Sequence, residues 1–216
     1  MKTPAGPWYA QGDGWLLTQE GWDPSRSIYF ETIFTQSNGY FGVRAYHEEI
    51  NPDFPSHREG YLAGIFAQID QDAVTQIKVN YPWPMLCMIT LPEIFHCRIQ
   101  LEGETLRIDQ GSLLSYRRTL SMRSGELIRE ILWESPAGRR TRIQWKRFLS
   151  AATPHLAMQK IQITPENWHG HATLVFEMDG GIPTLFRTGD RSQPHLVQKL
   201  LTSANVTHRE GAPSLL

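Results

Sequence analysis

The sequence predicts an all-β protein, a sandwich of mainly antiparallel strands with at most short helices. Three observations carry this. Short apolar runs of strand length recur along most of the chain, turn-forming residues separate them, and long helical patterns are nearly absent. With 216 residues, 40% of them hydrophobic, the chain can bury one sizeable core. No internal repeat or low-complexity linker interrupts it, so a single β-sandwich domain over residues 1–216 is expected.

The runs are taken in order. Residues 28–34, 40–46, 61–69, 84–91 and 95–101 form the first group. Residues 105–108, 112–120, 126–133, 141–149, 155–163 and 172–178 follow. The spacers read Ser-Asn-Gly, Glu-Gly-Glu, Arg-Ser-Gly and Ser-Pro-Ala-Gly, all turn compositions. Glu102-Gly103-Glu104 predicts a hairpin. "WESPAGRRTRIQW" predicts another, around a four-residue turn from Ser135 to Gly138. Along 142–147, Ile143 and Trp145 face one side, and Arg142, Gln144 and Lys146 the other. Leu127, Ile128, Ile131 and Leu132 fit a helical period as well as a strand, but Gly125 and the following turn leave little room for a helix. A strand is expected there. Residues 195–203, "HLVQKLLTS" after Pro194, are the best candidate for a short helix.

Composition narrows the function. A formal net charge of −1 supplies no long-range field to recruit nucleic acid or an anionic membrane. No apolar run approaches the ~20 residues that span a bilayer. The N-terminal "MKTPAGPWYAQGDGW" lacks the apolar centre of a signal peptide. Cys87 and Cys97 have neither metal-site spacing nor the pattern of a disulfide framework. A cytoplasmic protein is expected.

Few residues suggest chemistry of their own. There is no Gly-x-Ser-x-Gly elbow and no cysteine in a catalytic signature. His169 and His171 in "NWHGH" could share a zinc ion from one strand face, yet solvated turn histidines are expected instead. Arg139, Arg140, Arg142, Lys146 and Arg147 read as a solvated outer strand face with ion pairs, and Trp133 and Trp145 as core. Neither metal nor cofactor is expected.

The stretch "YFETIFTQSNGYFGVRAYHEE", residues 29–49, is richer. Asn38-Gly39 supplies a turn where positive φ is tolerated, and Gly42 allows close approach of another backbone. Arg44 offers a planar fork for a carboxylate, a phosphate or sugar hydroxyls. His47, Glu48 and Glu49 suggest acid/base work, since glycoside cleavage uses paired carboxylates. Adjacent strand residues point to opposite faces, however, so Glu48 and Glu49 cannot flank one bond. No catalytic residue is assigned.

"ETIFTQSNGYFGVRAYHEE" resembles the N-terminal signature of glycoside hydrolase family 65, which holds maltose, trehalose and kojibiose phosphorylases and some acid trehalases. "YLAGIF" (residues 61–66) and the Pro-Trp-Pro of 82–84 follow in order. The block "YRRTLSMRSGELIREILWESPAGRRTRIQWKRFLSAATPHLAMQKIQITPEN" then resembles the family's long block. Its landmarks are Leu120, Met122, Gly125, Arg147-Phe148-Leu149-Ser150 and His155-Leu156-Ala157. "MDGG", residues 178–181, matches the next landmark. The likeness runs from about Trp15 to about Gly189. Ala45 stands where many relatives have glycine, and the tail "LTSANVTHREGAPSLL" has no clear match.

The resemblance implies a super-β-sandwich of the galactose-mutarotase-like type. It also implies a helical linker and an (α/α)6 barrel that carries the general-acid glutamate and the phosphate site. The barrel lies outside this chain, whose sandwich is expected to be cut before its last strands and to expose an apolar docking surface. On this reading the domain is non-catalytic, packs on the barrel in cis or in trans, and has scope for a homodimer. The complete enzyme would take an α-linked disaccharide or glucose. Inorganic phosphate would be its co-substrate if it is a phosphorylase. Asn38, Gly39, Tyr40, Arg44 and Glu48 are the candidates for the inter-domain or substrate-adjacent surface. There they either turn and pack, or let Arg44 and Glu48 pair or meet sugar hydroxyls. A free-standing sugar-binding module is the alternative, with Trp8, Tyr9, Trp15 and Trp22 as stacking candidates.

Overall fold

The computed structural model describes residues 8–11, 14–49, 55–69, 84–179, 184–186, 196–198 and 201. In chain order the elements begin with β1 (Trp8–Gln11), β2 (Leu16–Glu20), a 3-10 turn (Pro24–Arg26) and α1 (Ser27–Ile33). Then come β3 (Gln36–Ser37), β4 (Phe41–Val43), β5 (Gly60–Leu62), β6 (Phe66–Ile69), β7 (Met85–Met88), β8 (Cys97–Leu101) and β9 (Glu104–Thr105). The long strands β10 (Ser112–Ser121), β11 (Glu126–Glu134), β12 (Arg140–Leu149) and β13 (Ala157–Pro165) follow, with β14 (Ala172–Phe176), β15 (Thr184–Phe186) and β16 (Leu196–Gln198) last.

The largest sheet runs β1-β2-β10-β11-β12-β13, antiparallel throughout. Its inner face packs on the sheet β14-β8-β9. Burial alternates strictly along β11 and β12, so every second residue enters the core. Ile131 and Trp133 from β11 and Ile143 and Trp145 from β12 meet Cys97, Ile99 and Leu101 of β8 there. Trp133 and Trp145 are 0% exposed, the core role expected of them. The predicted hairpins form: Gln100 pairs with Thr105 across Glu102-Gly103, and Glu134 pairs with Arg140 across the Ser135–Gly138 turn. At the entrance to β10, Gly111 has φ +75°, and a Cβ there would collide with the carbonyl oxygen of Glu134.

Three expectations are corrected, and two strands are added. Residues 28–34, read as a strand, are helical in α1. Asp23 accepts a hydrogen bond from the Ser25 amide and starts the preceding turn, with Pro24 next to it. Phe30, Ile33 and Phe34 then lie at helical spacing against Ala45 and Leu127. The run 61–69 is two strands, β5 and β6, broken at Gly64. β1 and β2, in a segment without clear pattern, complete the large sheet. Residues 196–198 pair with β15 as a strand, while most of the helix expected over 195–203 lies outside the described residues. Among the described residues no helix is long and apolar enough to cross a membrane.

Candidate functional site

The turn at Asn38 is built by one side chain. Asn38 Oδ1 accepts hydrogen bonds from the amides of Tyr40 (3.0 Å) and Phe41 (2.8 Å). Its Nδ2 donates to the carbonyls of Ser150 (2.7 Å) and Pro154 (2.9 Å). All four contacts need an amide, and they fasten the turn to the loop between β12 and β13. Gly39 takes φ +88°, the left-handed region that favours glycine. Tyr40 sets its ring edge-on to His155 at 4.2 Å between centroids. Gly39, Tyr40, Tyr61 and Met88 help line a shallow groove of about 250 Å³.

Beyond β4 the chain stops following a strand, and residues 44–49 cross the interior as a strap. Arg44 and Ala45 donate backbone hydrogen bonds to the carbonyls of Glu59 and Glu31, and the Glu48 carbonyl accepts from Cys97. Three arginines on the inner face of consecutive strands hold the rest. Arg118 of β10 donates to the Ala45 carbonyl at 3.1 Å. Arg147 of β12 donates to the carbonyls of Tyr46 (3.3 Å) and Arg44 (3.1 Å). Arg129 of β11 binds both carboxylates: Nε reaches Glu48 Oε2 and Nη1 reaches Glu49 Oε1, each at 2.9 Å, and Nη2 also meets Glu49 Oε2. The Arg129 guanidinium lies 3.8 Å from the Trp145 ring centroid. Arg58 caps the strap from outside through the carbonyls of His47 and Glu49.

These contacts correct four readings. Glu48, proposed for a surface, is 2% exposed and lies in the interior. Because the strap is not a strand, Glu48 and Glu49 converge on one guanidinium rather than diverging. Arg147, assigned to the outer face, is buried, and the signal was its parity with Ile143 and Trp145. Arg118 and Arg129 share that inward parity on β10 and β11. The other cations of the basic stretch do pair outward. Arg139 meets Glu104, Arg140 Glu134, Arg142 Glu166, and Lys146 Glu126. Arg44 and Glu48 do not pair. Arg44 instead donates to the Ile28 carbonyl and to Thr32 Oγ1, 4.0 Å from Glu31 and from Glu59.

The strap's electrostatics follow from burial opposed by charge. Burial pushes the Glu48 carboxyl up, but Arg129, Arg147 and Arg118 outweigh it and hold it below its ordinary range. His47 Nε2 lies 2.9 Å from the Tyr116 hydroxyl. Burial, then Arg129 and its neighbours, keep that ring neutral with a pKa well below 6.5. The Tyr46 phenol is pushed up to about 12, chiefly by burial. The cluster is a neutralising lock: its acids are committed to internal arginines.

Of the aromatic candidates, Trp15 is 45% exposed with Arg123 against its ring. Trp22 packs on the core, and the Trp8 and Tyr9 side chains lie outside the described residues. His169 and His171 are exposed.

Fold and lock together define a β-sandwich with a charged, internally paired strap. The chain belongs to glycosyl hydrolase family 65 as its N-terminal domain, for the family model of that description matches residues 17–212. A kojibiose phosphorylase of Halothermothrix orenii is 34% identical over 168 residues, which cover 78% of this chain and 20% of the relative. An α,α-trehalose phosphorylase of Thermoanaerobacter brockii is 27% identical over 177 residues, 80% of this chain and 22% of that one. A solved structure described as a candidate kojibiose phosphorylase from the human microbiome aligns with a TM-score of 0.72. It shares 20% identity and covers 88% of this chain and 26% of its own, a likeness of fold. The chain thus spans about a fifth to a quarter of the length of these relatives.

Proposed function

We propose that this chain acts as the non-catalytic N-terminal sandwich of a family 65 α-glucoside phosphorylase or hydrolase. It packs on the (α/α)6 catalytic barrel and shapes one wall of that barrel's sugar pocket. The observation that carries the reading is the lock: the carboxylates of the signature stretch are spent on Arg129 and leave no acid pair there to work on a substrate. An apolar surface supports the docking half. Phe66 and Met88 are register partners on β6 and β7, and Leu86, 70% exposed, shares their face. Met88 joins this face to the groove beside Gly39 and Tyr40. In this reading the substrate of the whole enzyme is an α-linked disaccharide, with inorganic phosphate as co-substrate if it is a phosphorylase. Its setting is the cytoplasm, and no nucleic acid takes part.

The test has two arms. The intact mass of the protein as its native cell makes it should far exceed 24.8 kDa. This chain alone should release no glucose 1-phosphate from kojibiose, trehalose or maltose with phosphate. A native species of 24.8 kDa would overturn the reading in favour of a free-standing sugar-binding module. Trp15 is the observation that favours the module, and maltose binding lost in Trp15→Ala would carry it.

A further inference from the structure

A cleft of about 640 Å³ opens where the segments before β5 and β8 meet the segment after β14, lined by Arg58, Glu93, His96, Glu177, Met178 and Asp179. Of these, the sequence singled out only Met178 and Asp179, as part of the "MDGG" landmark. His96 is only 5% exposed. Its Nδ1 lies 3.1 Å from the Glu48 carbonyl, which can only accept, so Nδ1 carries the ring's proton. In the neutral ring Nε2 is then an acceptor. Among the described residues that neutral Nε2 finds no donor, and what it faces, at 3.5 Å, is the Glu177 carboxylate, an acceptor it could bond only as an imidazolium. The arrangement is one donor short.

The nearby guanidinium groups have other contacts, although Arg98 Nε is left without a partner among the described residues. Arg58 Nη2 serves the carbonyls of His47 and Glu49 and sits 3.0 Å from Glu93 Oε2. Arg98 holds the other Glu177 oxygen at 3.2 Å. Burial, then Arg58, lower the His96 pKa against the pull of Glu177, so the ring is a poor source of the missing proton. Glu93 lies 3.9 Å from Nδ1, and Asp179 adds negative charge to the wall.

We propose that the cleft binds a cationic hydrogen-bond donor, an ammonium or guanidinium group, seated against His96 Nε2 and the Glu177 carboxylate. Such a group donates to both acceptors at once and offsets the acidic wall, whereas a hydroxyl has one proton and no charge. Met178, 70% exposed at the rim, gives apolar surface to the methylenes of a free amine or of a lysine or arginine side chain from a docked protein.

The full chain labelled with 15N-histidine tests this by NMR of the His96 ring at slightly alkaline pH. Propylammonium and methylguanidinium chlorides are titrated in, against sodium chloride. A saturable shift of Nε2 is expected, weakened about tenfold in Glu177→Gln. Glu177 is a half-exposed side chain, and its amide spectrum checks that the variant folds. Higher salt should weaken binding in the unaltered chain too, an independent readout. Tighter binding of a short capped peptide with a central lysine would assign the site to a docked side chain, and equal or weaker binding to a free amine. Absence of a saturable shift at concentrations on the order of 10 mM overturns the proposal. So does a shift caused by glucose, kojibiose or zinc but not by the amines, or a His96 ring that titrates at the ordinary value without ligand.

Discussion

The two faces of the large sheet use the same chemistry at different stakes. Outside, Arg140–Glu134, Arg142–Glu166 and Lys146–Glu126 bridge neighbouring strands in contact with water. Inside, Arg118, Arg129 and Arg147 meet Glu48, Glu49 and the strap's carbonyls where water is excluded. An exposed pair exchanges solvation for contact almost evenly. A buried one cannot lose a partner without stranding the other charge. Position, not residue type, decides what an ion pair is worth.

The sharpest way to break this contrast is Arg129→Leu, which leaves two buried carboxylates beneath Trp145. A loss of roughly 3–5 kcal/mol in urea unfolding is expected. A loss below about 1 kcal/mol would place the lock on a par with the outer pairs. Adding Glu48→Gln and Glu49→Gln to Arg129→Leu should recover part of the stability, with clear non-additivity.

Acid comes next in size. Glu48, held below its ordinary 4.5, contributes stability that is present above pH 4.5 and lost as pH falls through its folded value. His47, held neutral, destabilises as pH drops below 6.5, because only the unfolded chain then takes up the proton. Glu93, raised to about 7 mainly by burial, works the other way, favouring the fold as pH falls from about 7 to 4.5. His96, lowered by burial, acts in the same sense as His47. Glu93 offsets part of the histidine loss, so the decline should be shallow from pH 6.5 and steep below pH 4.5. In Glu93→Gln the decline from pH 6.5 should be steeper, and unchanged thermal-unfolding profiles would discount these shifts.

Asn38→Ala should cost roughly 1–2 kcal/mol, since two turn amides and two partly or fully exposed carbonyls lose their partner, and Asn38→Asp should recover only the accepting half. Arg140→Ala and Lys146→Ala should each change stability by less than about 0.5 kcal/mol. A larger effect from either would blur the distinction between the faces.

Much of the fold was legible because its period was. The hairpins at Gly103 and Gly138, the strands from 112 to 163 and the burial of Trp133 and Trp145 all follow from alternation and turn chemistry. The helix α1 was missed because Ile28, Tyr29, Phe30, Thr32 and Ile33 favour strands one by one, while the Phe30, Ile33, Phe34 spacing and the Asp23 cap that decide it are properties of the set. The strap was illegible for a deeper reason. Glu48 and Glu49 find Arg129 about 80 residues away, and only the register of β10, β11 and β12 brings the three arginines to one place. Parity alone would have turned Arg118, Arg129 and Arg147 inward. A polar side chain facing a core is the signal that it meets a partner there.

The lock also imposes an order on folding. Strands β10 to β13 are neighbours in sequence joined by short turns, so this meander closes cheaply and early. Among the described residues the countercharges of Glu48 and Glu49 are on that meander, so a growing chain that has reached only Gln110 has none of them for its two carboxylates. The N-terminal half should wait, unlatched, until the second half exists. In pulsed hydrogen exchange during refolding, the amides of β11 and β12 should gain protection before those of Ala45 and Cys97.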